Sequence, residues 1–169
     1  SLDSMLAAQT LWHAGRHPAA ASDGEPTGHA ALDDLLPQRG WPRRALTELL
    51  LPADGIGELA LLMPTLARLS REGGTLALIA PPYLPYAPAW QAAGIDLGVL
   101  HVIEAAPRVL PGLPERLSVA TLELLRGLDV QVHVNSKVAA IEHERVVLAD
   151  GRAIDAELIV WAAGVKAPD

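Results

Sequence analysis

Two apolar runs with a helical pattern between them constrain this chain more than any other feature. Residues 45–51 and 75–80 are dominated by apolar side chains, and Leu59, Leu62, Met63, Leu66 and Leu69 recur at helical spacing over 57–71. Runs of that kind flanking a helix are the pattern of a parallel sheet covered on both faces. Val99–Ile103 supplies a third run, after a short helix at 87–93 closed by Gly94. Pro64 should kink or divide the 57–71 helix, because proline removes a donor and crowds the preceding turn.

The turn between the first run and the helix reads LPADGIGEL, residues 51–59. Aligned on a G-x-x-x-x-G-K-[ST] phosphate loop, its second Gly is Gly57. Pro52 then replaces the first Gly, Glu58 the Lys and Leu59 the Ser/Thr. That chemistry needs an ammonium to neutralise phosphate and a hydroxyl to hold Mg²⁺. A carboxylate about 4 Å from a phosphate oxygen repels it by about 4 kcal/mol at an effective dielectric near 20. Gly55, Gly57, Glu58 and Leu59 therefore read as a degenerate nucleotide loop kept for its shape.

Composition narrows the function classes. Half of the 169 residues are hydrophobic and mean hydropathy is +0.24, enough for a buried core. Net charge is −7; up to Glu104 there are 6 basic and 11 acidic residues, and 7 against 9 thereafter. Neither part has the basic surplus of a protein gripping nucleic acid by its own charge. With no Cys, disulfide, zinc-thiolate and cysteine-nucleophile chemistry are excluded. No apolar run approaches the roughly 18 residues of a membrane span. The first residues carry no basic stretch leading into an apolar one, so the expected location is cytoplasmic.

After Pro111-Gly112 the texture changes. Residues 114–128 form an amphipathic helix expected to bury Leu117, Leu124, Leu125 and Leu128. Residues 130–134, 137–142, 146–149 and 153–161 read as strands, and Asp150-Gly151 is a two-residue hairpin signal. The fold class expected is α/β: a partial parallel sheet with helices, followed by a helix and a strand-rich C-terminal segment. Residues 1–25 read as an N-terminal helix and linker.

Two resemblances divide the rest. Residues 26–103, through GWPRRALTELLLPADGIGELALLMPTLARLS and IAPPYLPYAPAWQAAGID, resemble the ImuA/SulA family of SOS-response proteins, which is RecA-like with a degenerate nucleotide loop. That resemblance implies a non-catalytic DNA-damage accessory protein, associated with translesion synthesis and acting by contact with protein partners. Its partner would be a translesion polymerase assembly, or a cell-division protein if the chain is a SulA-like inhibitor. The aromatic residues Trp41, Tyr83, Tyr86 and Trp90, in or beside loops, are the candidate partner contacts, with packing inside the domain as the alternative.

Residues 103–169, through RVLPGLPERLS, LADGR and VWAAGVKAPD, resemble the NADH-binding domain of type II NADH dehydrogenases, members of the FAD-dependent pyridine-nucleotide reductases. There an acidic residue ending the second strand binds the adenosine ribose, and Glu104 stands at that place. The G-x-G-x-x-G that should precede it by about 20 residues falls on TLALIAPPYLPYAP, which has no glycine. The second reading is thus a fragment of an FAD/NAD(P)H-dependent oxidoreductase, with NAD or FAD as cofactor. Under the first reading no cofactor is expected. A seam near 99–104 makes the chain an apparent chimera, and a chimera without selected function is a further reading.

No catalytic or metal site emerges from the smaller groupings. His13 and His17 have helical metal-pair spacing but lie beside Gly15 and Pro18 without a third ligand. Asp33-Asp34 would diverge on a helix, and Ser118 lacks a His/Asp context. His133 and His143 lie on separate strands that could be neighbours.

Overall fold

The structure is a computed structural model and describes residues 23–43, 45–49, 57–81, 83 and 86–162. It divides into two compact units, Ser1–Ile56 and Gly57–Asp169. The expected helix at 1–12, most of the linker, the His13/His17 pair and Gly55 lie outside the described residues.

The first unit is held by backbone interlock. Glu25 and Trp41 form an antiparallel bridge, exchanging N–H···O bonds of 2.8 and 2.7 Å. Gly24 and Gly40 permit that approach, since a Cβ on either would meet the opposing backbone at 2.6 or 2.5 Å. Helix α1 (Ala30–Asp33) is tied down by Asp33, whose Oδ1 accepts the Thr27 N–H at 3.0 Å. Asp34 points elsewhere and pairs with Arg39 at 2.5 Å, so the two carboxylates serve separate contacts. The strand expected over 45–51 is absent from 45–49, where Leu46 is 93% exposed. An apolar run becomes a strand only where a partner strand and a covering layer receive it.

The second unit opens with α2 (Glu58–Arg71), which begins after Gly57 in the left-handed conformation (φ 102°). It presents Leu59, Leu62, Met63, Leu66 and Leu69 to the core, as their spacing requires. Pro64 does not divide it. Then follow β1 (Leu76–Ile79), α3 (Ala87–Ala92), β2 (Leu100–Ile103), α4 (Glu115–Gly127) and β3 (Gln131–His133). Three antiparallel strands come next, β4 (Val138–Glu142), β5 (Arg145–Leu148) and β6 (Ala153–Asp155), and finally β7 (Leu158–Trp161).

Strands β3-β2-β1-β7, in that order, make a wholly parallel sheet. Alternation splits its side chains between two layers. Leu76, Leu78, Leu100, Val102 and Val130 face α2, α3 and α4, meeting Leu66, Trp90 and Leu125. Ala77, Ile79 and Ile103 face the β4-β5-β6 sheet, meeting Val146, Leu148 and Ile154. The α/β class is thus observed, with the antiparallel sheet as third layer.

Three details depart from expectation. Residues 153–161 are two strands: β6 serves the antiparallel sheet, and β7 pairs with β1 after the break at Ala156-Glu157. Glu157 fixes that switch, since its side chain and main chain both bond the main chain of Thr75 at the entry to β1. The hairpin at Asp150-Gly151 has three residues between the bonded pair Leu148 and Arg152, with Gly151 at φ 88°. That is the form whose third loop residue is left-handed. In α4, Leu125 is buried and Leu128 packs beside it, but Leu117 and Leu124 are 45% and 61% exposed.

Candidate functional site

In an open parallel sheet, ligands bind beyond the carboxyl ends of the strands, where the strand order reverses. β1 is that place: the chain proceeds from it to β2 and β3 on one side and returns to β7 on the other. Three backbone bonds extend the strand ends, Ala80 N to Ile103 O (2.8 Å), Glu104 N to His133 O (2.8 Å) and Ala162 N to Ile79 O (3.0 Å). Ala80, Glu104 and Ala162 therefore stand side by side on one rim.

Glu104 is half-buried there. One carboxylate oxygen accepts the Ala106 N–H at 2.9 Å, and the main-chain carbonyl accepts Ser136 N–H at 2.9 Å. The second carboxylate oxygen makes no hydrogen bond among the described residues, leaving an oriented acceptor on the rim. Ala80, the first residue beyond β1, has φ 46°. A left-handed conformation costs an L-residue about 1–2 kcal/mol, and such outliers gather at functional sites. Ala80→Gly should therefore raise stability by about 0.5–1 kcal/mol, the relief exceeding the added freedom of the unfolded chain. A urea midpoint that stays put or falls would contradict the left-handed assignment.

A second grouping lies on the face covered by the antiparallel sheet. Thr75, His101, His133 and residues Arg152–Asp155 line an open groove. His101 Nδ1 and His133 Nε2 are 3.0 Å apart. The ring centroids are 5.2 Å apart with 11° between planes. The two distances differ by what two imidazole radii occupy, so the rings lie edge to edge in nearly one plane and share one proton. Burial lowers both imidazole pKa values, reinforced for His101 by His133 and for His133 by the Arg152 guanidinium. Arg152 is itself held by Asp150 (Nε to Oδ2, 2.8 Å) and by Ser136 Oγ (3.1 Å). The main-chain N–H and then the side chain of Arg152 hold the Asp150 carboxyl below its usual range.

The remaining sequence candidates are dispersed. Gly57 and Glu58 start α2, where Glu58 accepts the Gly57 N–H at 3.1 Å, and Leu59 packs on the helical layer. Trp90 is 4% exposed and packs in the core beneath the helical layer, and Trp41 is 9% exposed. Tyr83 and Tyr86 are 66% and 73% exposed. His143 sits in the β4–β5 turn, 3.6 Å from Glu144, and it is His101 that neighbours His133. Ser118 is buried, its Oγ donating to Leu110 O at 3.3 Å. No group of three His, Cys, Asp or Glu among the described residues is placed to hold a metal. No helix among them is long and apolar enough to cross a membrane.

Glu104 and Ala162 of the rim lie in a stretch with known counterparts. Residues 87–169 match the family model described as pyridine nucleotide-disulphide oxidoreductase. A type II NADH:quinone oxidoreductase of Haemophilus influenzae is 43% identical over 75 residues, covering 43% of this chain and 17% of that protein. Its counterpart in Mycobacterium tuberculosis is 36% identical over 70 residues, covering 39% of this chain and 15% of that one. A solved NAD-dependent persulfide reductase from A. fulgidus is 27% identical with a TM-score of 0.48, covering 61% of this chain and 20% of that chain. The chain thus spans about one-sixth of the length of the curated relatives it matches.

Two expectations fall with these matches. The SOS accessory reading, and with it DNA repair, translesion synthesis and cell-division inhibition, is overturned. The oxidoreductase match begins at residue 87, inside the segment assigned to that family, and takes in α3 and β2. The physical reason is that β1 and β2 pair in the same sheet as β3 and β7, so the word-level resemblance of 75–103 cut through one structural unit. The expectation of no cofactor falls too, because the matching family and both curated relatives carry pyridine nucleotides or NADH in their names.

The residues present fit one end of such a cofactor. The carboxylate oxygen of Glu104 not taken up by the Ala106 N–H suits a ribose hydroxyl. The stretch from Ala80 to Tyr86 includes Pro81, Pro82 and Pro85, which have no N–H, and lacks the glycine turn that admits a diphosphate.

Proposed function

We propose that residues 57–162 are the pyridine-nucleotide-binding portion of an oxidoreductase of the type II NADH dehydrogenase kind. The observation that carries this reading is Glu104, a half-buried carboxylate with one unengaged oxygen, at the carboxyl end of β2 beside the reversal of strand order. Its role is to accept hydrogen bonds from the adenosine ribose hydroxyls. The same charge opposes a 2′-phosphate by about 4 kcal/mol at about 4 Å and an effective dielectric near 20, which favours NADH over NADPH. Ala106 N–H holds the carboxylate in its rotamer, and Ala80 and Ala162 bound the crevice. The chemistry supplied by a nicotinamide held there is hydride donation; this chain's residues orient the ribose and select the nucleotide. Acceptor binding and turnover belong to the larger enzyme.

The test is a ¹H–¹⁵N titration with NADH and, separately, NADPH. Shifts should concentrate at Ala80, Glu104, Ala106 and Ala162 and be stronger with NADH. Glu104→Gln keeps an oxygen for the Ala106 N–H but exchanges a charged acceptor for a neutral one. It should cost about 1 kcal/mol, roughly fivefold in NADH affinity, and narrow the preference over NADPH. Absence of shifts on this rim at millimolar NADH, or an unchanged preference in the variant, would overturn the proposal.

A further inference from the structure

We propose that α4 is a self-association surface, through which two copies of this chain pair about a twofold axis with their α4 helices antiparallel. The inference rests on α4 alone and not on the function assigned to the rim.

The first support is an apolar stripe. Toward its own core α4 has Ser118 and Leu125 buried, with Thr121 and Leu122 half-buried. On another flank Leu117, Ala120 and Leu124 follow at intervals of three and four, all exposed, and Leu113 continues the line just before the helix. The three leucines are 39%, 45% and 61% exposed in chain order. Such intervals are those of the seam along which one helix packs on another, and an apolar patch left in solvent marks an interaction surface.

The second support is that the stripe and its charges complement themselves in one register. A twofold contact is isologous, so each pairing occurs twice. An axis passing between Ser118 and Val119 sets Leu117 against Ala120 of the second copy, and Leu113 against Leu124 of the second copy. A leucine meets the small alanine on either side of the axis, which lets the helices approach to about 8–10 Å. The same register places Arg116 opposite Glu123 of the second copy, on the solvent side of the seam, where charged side chains set partner and orientation. Both residues are exposed, and neither has an ion-pair partner among the described residues. They lie two turns apart on their own helix, where side chains are not neighbours.

The charge balance favours a second copy over a lipid surface. α4 carries Glu115 and Glu123 against Arg116 and Arg126, a neutral set without the basic excess that anionic lipid attracts. Two such helices meet without net repulsion. One helix from each copy makes a small interface, so the association is weak, with half of the chain paired at about 0.1 mM.

The experiment is sedimentation velocity on the whole 169-residue chain from about 10 µM to about 1 mM, where a monomer–dimer equilibrium is expected. Leu124→Ser should weaken it roughly tenfold. Arg116→Glu and Glu123→Arg should each weaken it, since each sets like charges face to face. An equimolar mixture of those two variants should recover the affinity of the unaltered chain, because both pairs re-form with their signs exchanged. The altered positions are exposed, and circular dichroism checks that each variant keeps its fold. A chain that stays monomeric to about 1 mM, undiminished association of Leu124→Ser, or a mixture no tighter than its separate components would overturn the surface. So would association abolished by Trp161→Lys and untouched by the α4 variants, which would place the contact on β7.

Discussion

Trp90→Ala is expected to lower the stability of the second unit by about 3–5 kcal/mol. Trp90 lies on α3, 4% exposed, against Leu97, Leu100, Val102, Leu125 and Val130. These residues come from β2, α4 and the segments leading into β2 and β3, so the indole is the body that seats both crossover helices on the sheet. Truncation removes its buried area and leaves a cavity that strands fixed by hydrogen bonding cannot collapse to fill. In a chain of this size each kcal/mol moves Tm by about 2–4 °C, so calorimetry resolves the loss readily. Tyr86→Ala, four residues earlier and 73% exposed, should stay within about 0.5 kcal/mol. Equal effects from the two changes would contradict the buried placement of Trp90.

The second large effect is expected at Ile103. It is 0% exposed and meets Val146, Leu148 and Ile154 from the antiparallel sheet. Ile103→Ala should cost about 2–5 kcal/mol. It should also lower amide-exchange protection across β4, β5 and β6 more than across β1, because the lost contacts are those joining the two sheets. A cost below about 1 kcal/mol would mean that the two sheets do not share a core. Ile103 adjoins Glu104, so the variant also separates scaffold from ligand contact: nucleotide binding should weaken through loss of the fold, and recover under conditions that restore it.

Much of the fold was legible because it rests on period. The runs at 75–80 and 99–103, the helical face at 57–71 and the alternating strands near Asp150-Gly151 all carry their own pattern, and the structure uses them as strands and helix. What misled was pattern without a partner. Residues 45–49 have strand-like composition, yet Leu46 lies in solvent. Residues 153–161 look continuous because no glycine or proline marks the break, and it is Glu157, bonding to Thr75 some 82 positions away, that divides them. The rim at the strand ends was half visible: Glu104 came from resemblance, whereas the left-handed Ala80 beside it has no sequence signal. The paired imidazoles were invisible, since residues 32 apart meet only through parallel pairing of β2 and β3.

The two borders of the parallel sheet are unequal. β3 has three residues, two of them Gln131 and His133, and so small and polar a margin gives little for another chain to add to. β7 reads Leu-Ile-Val-Trp, with no charge and no proline, and no strand pairs with its outer side among the described residues. Such a border is a template for strand addition. Among the described residues, Leu158–Trp161 is thus the border of this sheet open to strand addition, and the same strand bounds one side of the crevice.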